Sequence, residues 1–400
     1  MSVIDDFDLQ DESLVLDPYP VFTELRKPKS LLWSDRLGLW LAPTYELANT
    51  ALRTRTLGRI YQDKLPQNEW EVFNWLHSDS ILDSEPPKHT RLRALVQKAF
   101  TPGRIESMRP NVEQLCEQLL VEAQMKLEQQ GFFDVLADYA EPLPVLVIAD
   151  LLGVPRDMAP DLRRWSQDIV KMYEFQKTRE QELAAQKAGF EFSQYVAGLA
   201  KERKQNPKND LITALVEVEE QGEKLNEHEL IAMCVLLLNA GHEASVNGFG
   251  NGMVALFKHP EQLAQLANNP RELSSTALEE MLRFDSPLHL FERTATADTQ
   301  LGEVTVKAGE KVGAMLGSAN RDDDVFQNAQ SFDIKRTPNT HIAFGAGIHF
   351  CIGAPLARLE MNTSLPLLFE KFPKLQLAGE PQQRPTFVLR GYETIPVNVG

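Results

Sequence analysis

The feature that most constrains the fold is one long apolar segment, residues 226–260, with the sequence NEHELIAMCVLLLNAGHEASVNGFGNGMVALFKHP. Apolar residues occupy nearly every side of its first half, so a helix formed there should be buried. Asn226 is a suitable N-cap, and Pro260 should end the helix. At 1.5 Å per residue, about 33 residues would span roughly 50 Å, enough to cross a whole domain. The rest of the chain is therefore expected to pack around this helix.

Helical patterns also dominate the remaining chain. Apolar residues from Ile105 to Leu119 recur at spacings of three and four, which predicts one amphipathic helix there, and Asp210 is a plausible cap for another. Further helices are predicted over residues 87–100, 142–152, 160–174, 178–203 and 209–220. Short antiparallel strand pairs are predicted over residues 31–43, 301–316 and 385–399. The expected fold class is mainly α with small antiparallel β-sheets, in one domain covering residues 1–400.

Charge and cysteine content limit the class of protein. The 400-residue chain has a net charge of -16, which argues against general affinity for nucleic acid or an anionic membrane. No stretch reaches the roughly 18 uninterrupted apolar residues of a membrane span, and the acidic N-terminus lacks a signal peptide's apolar run. Cys116, Cys234 and Cys351 lie far apart, as free thiols in a reducing compartment do. We therefore predict a cytoplasmic protein with no nucleic-acid or membrane partner.

The stretch HIAFGAGIHFCIGAPLARLE, residues 341–360, places a lone cysteine among three glycines at the start of a helix. The glycines permit tight turns and the close approach of a flat partner. Pro355 is tolerated only in a first turn, so the helix should begin near Cys351. Unpaired N–H donors and the helix dipole at that position favour a thiolate. The stretch is suited to hold an anionic sulfur beneath an open space.

This stretch resembles the cysteine loop of the cytochrome P450 family, Phe-Gly-x-Gly-x-His-x-Cys-x-Gly followed by a helix. Every motif position is filled, by Phe344, Gly345, Gly347, His349, Cys351 and Gly353. The resemblance implies that Cys351 is the thiolate ligand of a haem b iron. It also implies the family's triangular-prism fold, with haem enclosed between the long helix and the helix after the cysteine.

Other segments resemble the family in the same order along the chain. Glu280 and Arg283, one helical turn apart, match its Glu-x-x-Arg element, and Arg336 matches the third member of that structural network. By the resemblance, four cationic or hydrogen-bonding side chains would hold the haem propionates, which need such partners in a buried pocket. These are His89, Arg93, Arg293 and His349.

The long helix departs from the family at one position. Ala240, Gly241 and Glu243 match the pattern Ala/Gly-Gly-x-Asp/Glu-Thr, but Ala244 occupies the threonine position and Ser245 follows it. The family's threonine helps to deliver protons to bound dioxygen, and a methyl group cannot form a hydrogen bond. A substrate hydroxyl or an ordered water could replace it, Ser245 could substitute, or the chain does not activate dioxygen in the usual manner. We expect the first, then a changed proton path through Glu243.

The resemblance implies a haem-thiolate monooxygenase that uses dioxygen to oxidise a small or medium apolar organic molecule. Ala244 motivates the hypothesis that this molecule is a hydroxyl-bearing secondary metabolite. The predicted pocket walls are Trp70, Phe73, Leu288 and Phe291. The alternatives are a peroxide-using or otherwise atypical haem-thiolate enzyme, which Ala244 favours, and a non-catalytic haem or ligand sensor.

Electrons are expected from a separate ferredoxin or flavodoxin with its reductase, because no flavin or iron–sulfur domain follows the cysteine helix. Such acidic partners would dock on a basic surface on the cysteine side. The residues expected there are Lys88, Arg91, Lys98, Arg104 and Arg358.

Overall fold

The computed structural model describes residue 4 and residues 7–218 and 222–400, and it is mainly helical. The helices are α1 Glu12–Leu16, α2 Tyr19–Arg26, α3 Tyr45–Arg53, α4 Gln67–Ser78, α5 Lys88–Ala99, α6 Pro102–Ser107, α7 Arg109–Gln130, α8 Pro142–Leu152, α9 Ala159–Val170, α10 Arg179–Gln205, α11 Leu211–Glu217, α12 Glu227–Lys258, α13 Pro260–Asn268, α14 Pro270–Phe284, α15 Leu316–Ala319 and α16 Ala354–Lys371.

The strands are short. They are β1 Leu32–Ser34, β2 Leu39–Ala42, β3 Leu57–Gly58, β4 Phe133–Asp134, β5 Phe291–Ala295, β6 Thr299–Leu301, β7 Val304–Val306, β8 Lys311–Ala314, β9 Leu375–Leu377, β10 Gln382–Gln383, β11 Tyr392–Thr394 and β12 Pro396–Val399. The largest sheet has the order β1-β2-β8-β5-β3. The predicted antiparallel pairs are confirmed, among them β1 with β2 and β6 with β7. The β2–β8 pair, which joins two of the predicted segments, is parallel, with Trp40 opposite Val312. A long connection joins these two strands, as parallel pairing requires.

The predicted long helix is confirmed as α12, with a reciprocal cap at its N-terminus. The Asn226 side chain accepts a hydrogen bond from the Glu229 backbone N–H at 2.9 Å, and the Glu229 carboxylate accepts one from the Asn226 N–H at 3.0 Å. Among the described residues, α12 is the one helix long and apolar enough to cross a membrane, but 67% of its most apolar window is buried inside the protein. It is therefore the core helix around which the others pack.

Glycines let neighbouring helices approach α12 closely. A Cβ at Gly241 would overlap the Ile148 side chain of α8, and one at Gly252 would overlap Met281 of α14. These close contacts hold α8 and α14 against the central helix. They place the middle of α12 directly beside the wall of the main cavity.

Most other predicted helices are confirmed within a few residues, including the cap at Asp210, whose side chain accepts from the Thr213 N–H. The helix predicted across residues 105–119 instead divides into α6 and α7 at Met108, because Pro110 cannot donate a backbone hydrogen bond and clashes with the preceding turn. The helix predicted over 209–220 ends at Glu217, and residues 219–220 lie outside the described part of the chain.

Candidate active site

An internal cavity of about 320 Å³ lies between α12 and the loop that carries Cys351. Its lining is mostly apolar, and side chains of α8 and of the segment before β5 complete the wall. The predicted residues that line it are Ala240, Gly241, Glu243, Ala244 and Ser245 on one side, and Phe344, Gly345, His349, Cys351 and Gly353 on the other. The fold therefore brings together two segments that are about a quarter of the chain apart.

Cys351 lines this cavity two residues before Gly353, the N-cap of α16, whose first residue is Ala354. Burial raises the pKa of the Cys351 thiol, whereas backbone N–H groups of Gly353 and Ala354 and the charges of Arg93 and Arg358 lower it. The predicted donors are thus present, but burial outweighs them, so the helix terminus alone does not stabilise a thiolate. A metal cation deprotonates a coordinating thiol outright.

Two glycines give the cysteine loop its shape. Gly345 has φ 70° and Gly347 has φ 72°, conformations that favour glycine. A Cβ at Gly347 would overlap the Leu52 carbonyl oxygen at the end of α3. The loop closes with a hydrogen bond of 3.0 Å from the Cys351 N–H to the Phe344 carbonyl.

Buried nitrogens without a partner among the described residues lie behind one edge of the cavity. The predicted residues His89 and Arg293 do not line the cavity themselves, but they contact His349 and Phe291, which do. His89 is 2% exposed and Arg293 is 1% exposed, and His89 Nε2, Arg293 Nε and Arg293 Nη2 have no hydrogen-bond partner in the described part of the chain. The His89 and His349 rings lie 4.5 Å apart, and His349 Nε2 lies 2.8 Å from Glu85 Oε1. Arg93 donates to the Phe350 carbonyl at 2.7 Å. An unpaired buried donor is costly, so this group of residues requires an acceptor.

Arg59 is a further cation at this edge that the sequence did not predict. It lines the cavity, and its buried Nε has no hydrogen-bond partner among the described residues. The guanidinium groups of Arg59 and Arg293 lie 4.6 and 4.5 Å from the centroid of the Phe291 ring. Burial, and after it the charge of Arg59, lower the pKa of Arg293 to about 9. No local pattern marks Arg59, because it reaches the site from a separate segment that directly follows strand β3.

Glu243 lies on the opposite side of the cavity, on α12, and is 4% exposed. Its Oε2 accepts a hydrogen bond of 2.9 Å from Arg384, a partner that sequence reasoning missed, and its Oε1 has none among the described residues. His242 is fully buried beside it, and burial lowers the pKa of His242 to about 4, so its ring is neutral near pH 7. Glu243 is thus held by one oxygen and has the other available.

The cavity walls differ from the prediction at two of four positions. Leu288 and Phe291 line the cavity, but Trp70 and Phe73 do not, which corrects the predicted pocket. Both are 2% exposed in the main core, with ring centroids 5.2 Å apart, and Phe73 stacks on His77 at 4.2 Å. Their helix α4 turns its apolar face toward α10 and α12 instead.

The predicted three-residue ionic network behind the cysteine loop is present. Glu280 and Arg283 are fully buried and joined by two hydrogen bonds of 2.7 and 2.8 Å, and Arg336 donates to Glu280 at 3.0 Å. Arg283 also donates to the carbonyl groups of Asn320 and Ala329. A buried ion pair is stable only when its remaining donors are satisfied. Because the donors of Arg283 are satisfied by backbone carbonyl groups, the ion pair holds the segment that leads into the cysteine loop in place.

The site fits a flat iron macrocycle that carries carboxylates. The cavity offers one cysteine sulfur, an apolar interior and an edge of buried unpaired donors. Among the described residues, no group of three or more His, Cys, Asp or Glu side chains could hold a metal ion by itself. A single thiolate ligand with cations for two carboxylates is a donor set that suits haem b.

Comparisons with known proteins agree with this geometry. The family model described as Cytochrome P450 matches residues 61–392. The Polyketide biosynthesis cytochrome P450 PksS of Bacillus subtilis is 39% identical over 90% of this chain and 89% of its own length. The 6-deoxyerythronolide B hydroxylase of Saccharopolyspora erythraea is 35% identical over 98% of each chain. A solved structure of P450BioI in complex with hexadec-9Z-enoic acid ligated Acyl Carrier Protein matches with a TM-score of 0.91 and 32% identity, covering 97% of this chain and 99% of that one.

Proposed function

Because this chain belongs to the cytochrome P450 family, we propose that it oxidises hydroxyl-bearing secondary metabolites of polyketide type. Family membership makes it a haem-thiolate monooxygenase with haem b, an organic substrate and an external source of electrons. It also sets aside the ligand-sensor alternative. We assign the whole activity to one catalytic domain, residues 1–400.

When bound, haem b supplies the chemistry that inserts one oxygen atom of dioxygen into the substrate and reduces the other to water. We assign Cys351 as the iron ligand, held by the N–H groups of Gly353 and Ala354. The cavity beside the Cys351 sulfur and the family motif around this residue support the assignment. The glycines at 241, 345 and 353 let the backbone approach the macrocycle closely.

The propionate partners are His89, Arg93, Arg293 and His349. The buried nitrogens of His89 and Arg293 that have no partner among the described residues support this assignment, because bound carboxylates would supply one. Arg59 adds a further positive charge at the same edge. Two carboxylates bound there would satisfy these donors and offset the repulsion between the two arginines.

One observation carries the substrate proposal. Ala244 and Ser245 line the cavity beside Glu243, so the position where the family has a threonine hydroxyl next to this carboxylate carries only a methyl group. Arg384 holds one Glu243 oxygen, so the other can carry a proton toward the cavity. A substrate hydroxyl placed against the Ala244 methyl would supply the missing hydrogen-bonding group. Two relatives whose names refer to polyketide products support a substrate rich in oxygen.

The variant Ala244→Thr tests this proposal. We would measure the fraction of consumed reductant that appears as oxidised product, with 6-deoxyerythronolide B and a matched analogue that lacks the hydroxyl nearest the oxidised carbon. The wild type should couple well only with the hydroxylated substrate, and Ala244→Thr should restore coupling with the analogue. Equal coupling with both substrates in both proteins would contradict the proposal.

Ser245 provides the matched control. Its side chain lines the cavity, so it is the alternative source of the missing hydroxyl. If the substrate supplies the hydrogen bond, Ser245→Ala should leave coupling with the hydroxylated substrate unchanged. A large loss of coupling in Ser245→Ala would assign the role to the protein instead.

We propose a ferredoxin or flavodoxin as the electron donor, in the cytoplasm. Several of the cations expected to dock it already have acidic partners, including Lys88 with Asp79, Arg91 with Glu229, and Arg358 with Glu279. Surface pairing of this kind leaves less charge available to a partner.

The docking surface is therefore best supported around the cysteine loop itself. Ile348 and Phe350 are 38% and 41% exposed there, and Arg104 lies on α6, which packs against α16. Arg104→Glu should slow electron transfer from an acidic donor and weaken its salt dependence. An unchanged rate at low salt would contradict this docking surface.

A further inference from the structure

Asn239 on α12 lines the cavity, and no hydrogen bond among the described residues accounts for its polar side chain. The residue is 4% exposed, and its Oδ1 has no hydrogen-bond partner among the described residues. The side chains around it in the cavity wall are apolar and include Ile148, Leu151 and Leu236. A buried amide oxygen without a partner costs about 1–3 kcal/mol, so an apolar residue would make a more stable wall.

Asn251 of the same helix shows what a structural role looks like. Its Nδ2 donates to the carbonyl oxygens of Asp285 and Arg390 at 3.2 and 3.1 Å, which ties α12 to two distant segments, although its Oδ1 also has no partner among the described residues. The side chain of Asn239 makes no such tie within the described part of the chain, and Asn239 lines the cavity, whereas Asn251 does not.

We propose that Asn239 hydrogen-bonds a hydroxyl group of the substrate and so selects substrates that carry one at this position. A hydroxyl both donates and accepts, so it satisfies an amide whichever way the amide is oriented. At 1.5 Å per residue, Asn239 lies about 7.5 Å along α12 from Ala244, so this hydroxyl is separate from the one proposed at Ala244. The inference rests on the proposed function, since it concerns the same cavity.

The test uses the haem-loaded protein and imidazoles whose ring nitrogen binds the iron, which fixes each probe in the cavity. A series of 1-(ω-hydroxyalkyl)imidazoles of increasing chain length is compared with the corresponding methyl ethers, and binding is read from the red shift of the Soret band. At the chain length that reaches Asn239, the alcohol should bind about tenfold more tightly than the ether. Asn239→Leu should reduce this preference to about twofold or less, with ether binding unchanged.

Two further variants separate the role of Asn239 from a general effect on the helix. Asn239→Asp keeps an acceptor and should keep the preference for the alcohol. Asn247→Ala removes another buried amide without a partner from the same helix, away from the cavity, and should also keep it.

A wild-type protein without a preference at any chain length, or a preference that survives in Asn239→Leu, would overturn this inference alone. If no imidazole shifted the Soret band, the haem site itself would be contradicted, and both proposals would fall together.

Discussion

At the scale of single residues, some of the buried polar atoms that lack a partner among the described residues lie in the cavity wall or directly behind it. His89 Nε2, Arg293 Nη2, Asn239 Oδ1 and Glu243 Oε1 are all of this kind. Each carries a desolvation cost that folding alone does not recover. Bound molecules can recover it, which is why these atoms indicate where the cofactor and the substrate interact with the chain.

The sequence predicted the residues that belong to local patterns. Cys351 and Glu280 stand in short motifs, so their neighbours identify them. Arg59 and Arg384 were missed because they come from separate segments and meet the site only in the folded chain. The backbone donors expected to favour a Cys351 thiolate do lower its pKa, but burial raises it by more, and the extent of burial cannot be read from sequence.

His289 gives a prediction at this scale. It is fully buried beside Asp285, and burial lowers its pKa from 6.5 to about 4. The unfolded state therefore binds more protons between these values, so the free energy of unfolding falls as the pH is lowered through this window. His289 should account for about 2 kcal/mol of the loss between about pH 7 and pH 5.

Urea unfolding of wild type and His289→Gln at both pH values measures this contribution. The variant should start from a lower stability but lose about 2 kcal/mol less on acidification. Parallel losses in the two proteins would show that the imidazole does not titrate in this range.

At the scale of elements, periodicity located most helices but not the direction of their apolar faces. The spacing within α4 gave no sign that Trp70 and Phe73 face α10 and α12 rather than the cavity. Pro110 is visible in the sequence, yet the apolar pattern around it continues through the break between α6 and α7. Whether the proline or the apolar periodicity determines the local structure depends on tertiary packing, which sequence alone does not supply.

The cysteine loop provides a matched pair of glycine substitutions. Both Gly345 and Gly347 have positive φ, but a Cβ at Gly345 meets nothing closer than the His349 carbonyl at 4.0 Å, whereas at Gly347 it would overlap the Leu52 carbonyl. Gly345→Ala should cost about 1 kcal/mol of stability from backbone strain. Gly347→Ala should cost about 3 kcal/mol or more, with loss of bound haem.

Thermal unfolding and the haem content of the purified variants measure the difference. Equal losses from the two substitutions would mean that backbone conformation, and not the contact with α3, determines the stability of the loop.

At the scale of the whole molecule, the mainly helical fold and the central position of α12 followed from the sequence. The ties between distant segments did not. Arg390 donates to the carbonyls of Val15 and Leu16 and to Asp285, so it joins the start and the end of the chain near the cavity. The parallel β2–β8 pair is a similar long-range contact. Such contacts leave no local sequence pattern, because the two residues that form each contact lie far apart along the chain.

The central claim concerns the cavity that unites α12 with the cysteine loop: Cys351 ligates a haem iron as a thiolate. The most direct test is the carbon-monoxide difference spectrum of the reduced protein, wild type against Cys351→Ser. We predict a strongly red-shifted Soret band in the wild type and its loss in a variant that still binds haem. A wild-type band at the position typical of histidine or neutral thiol ligation, or a red-shifted band that persists in Cys351→Ser, would contradict the claim.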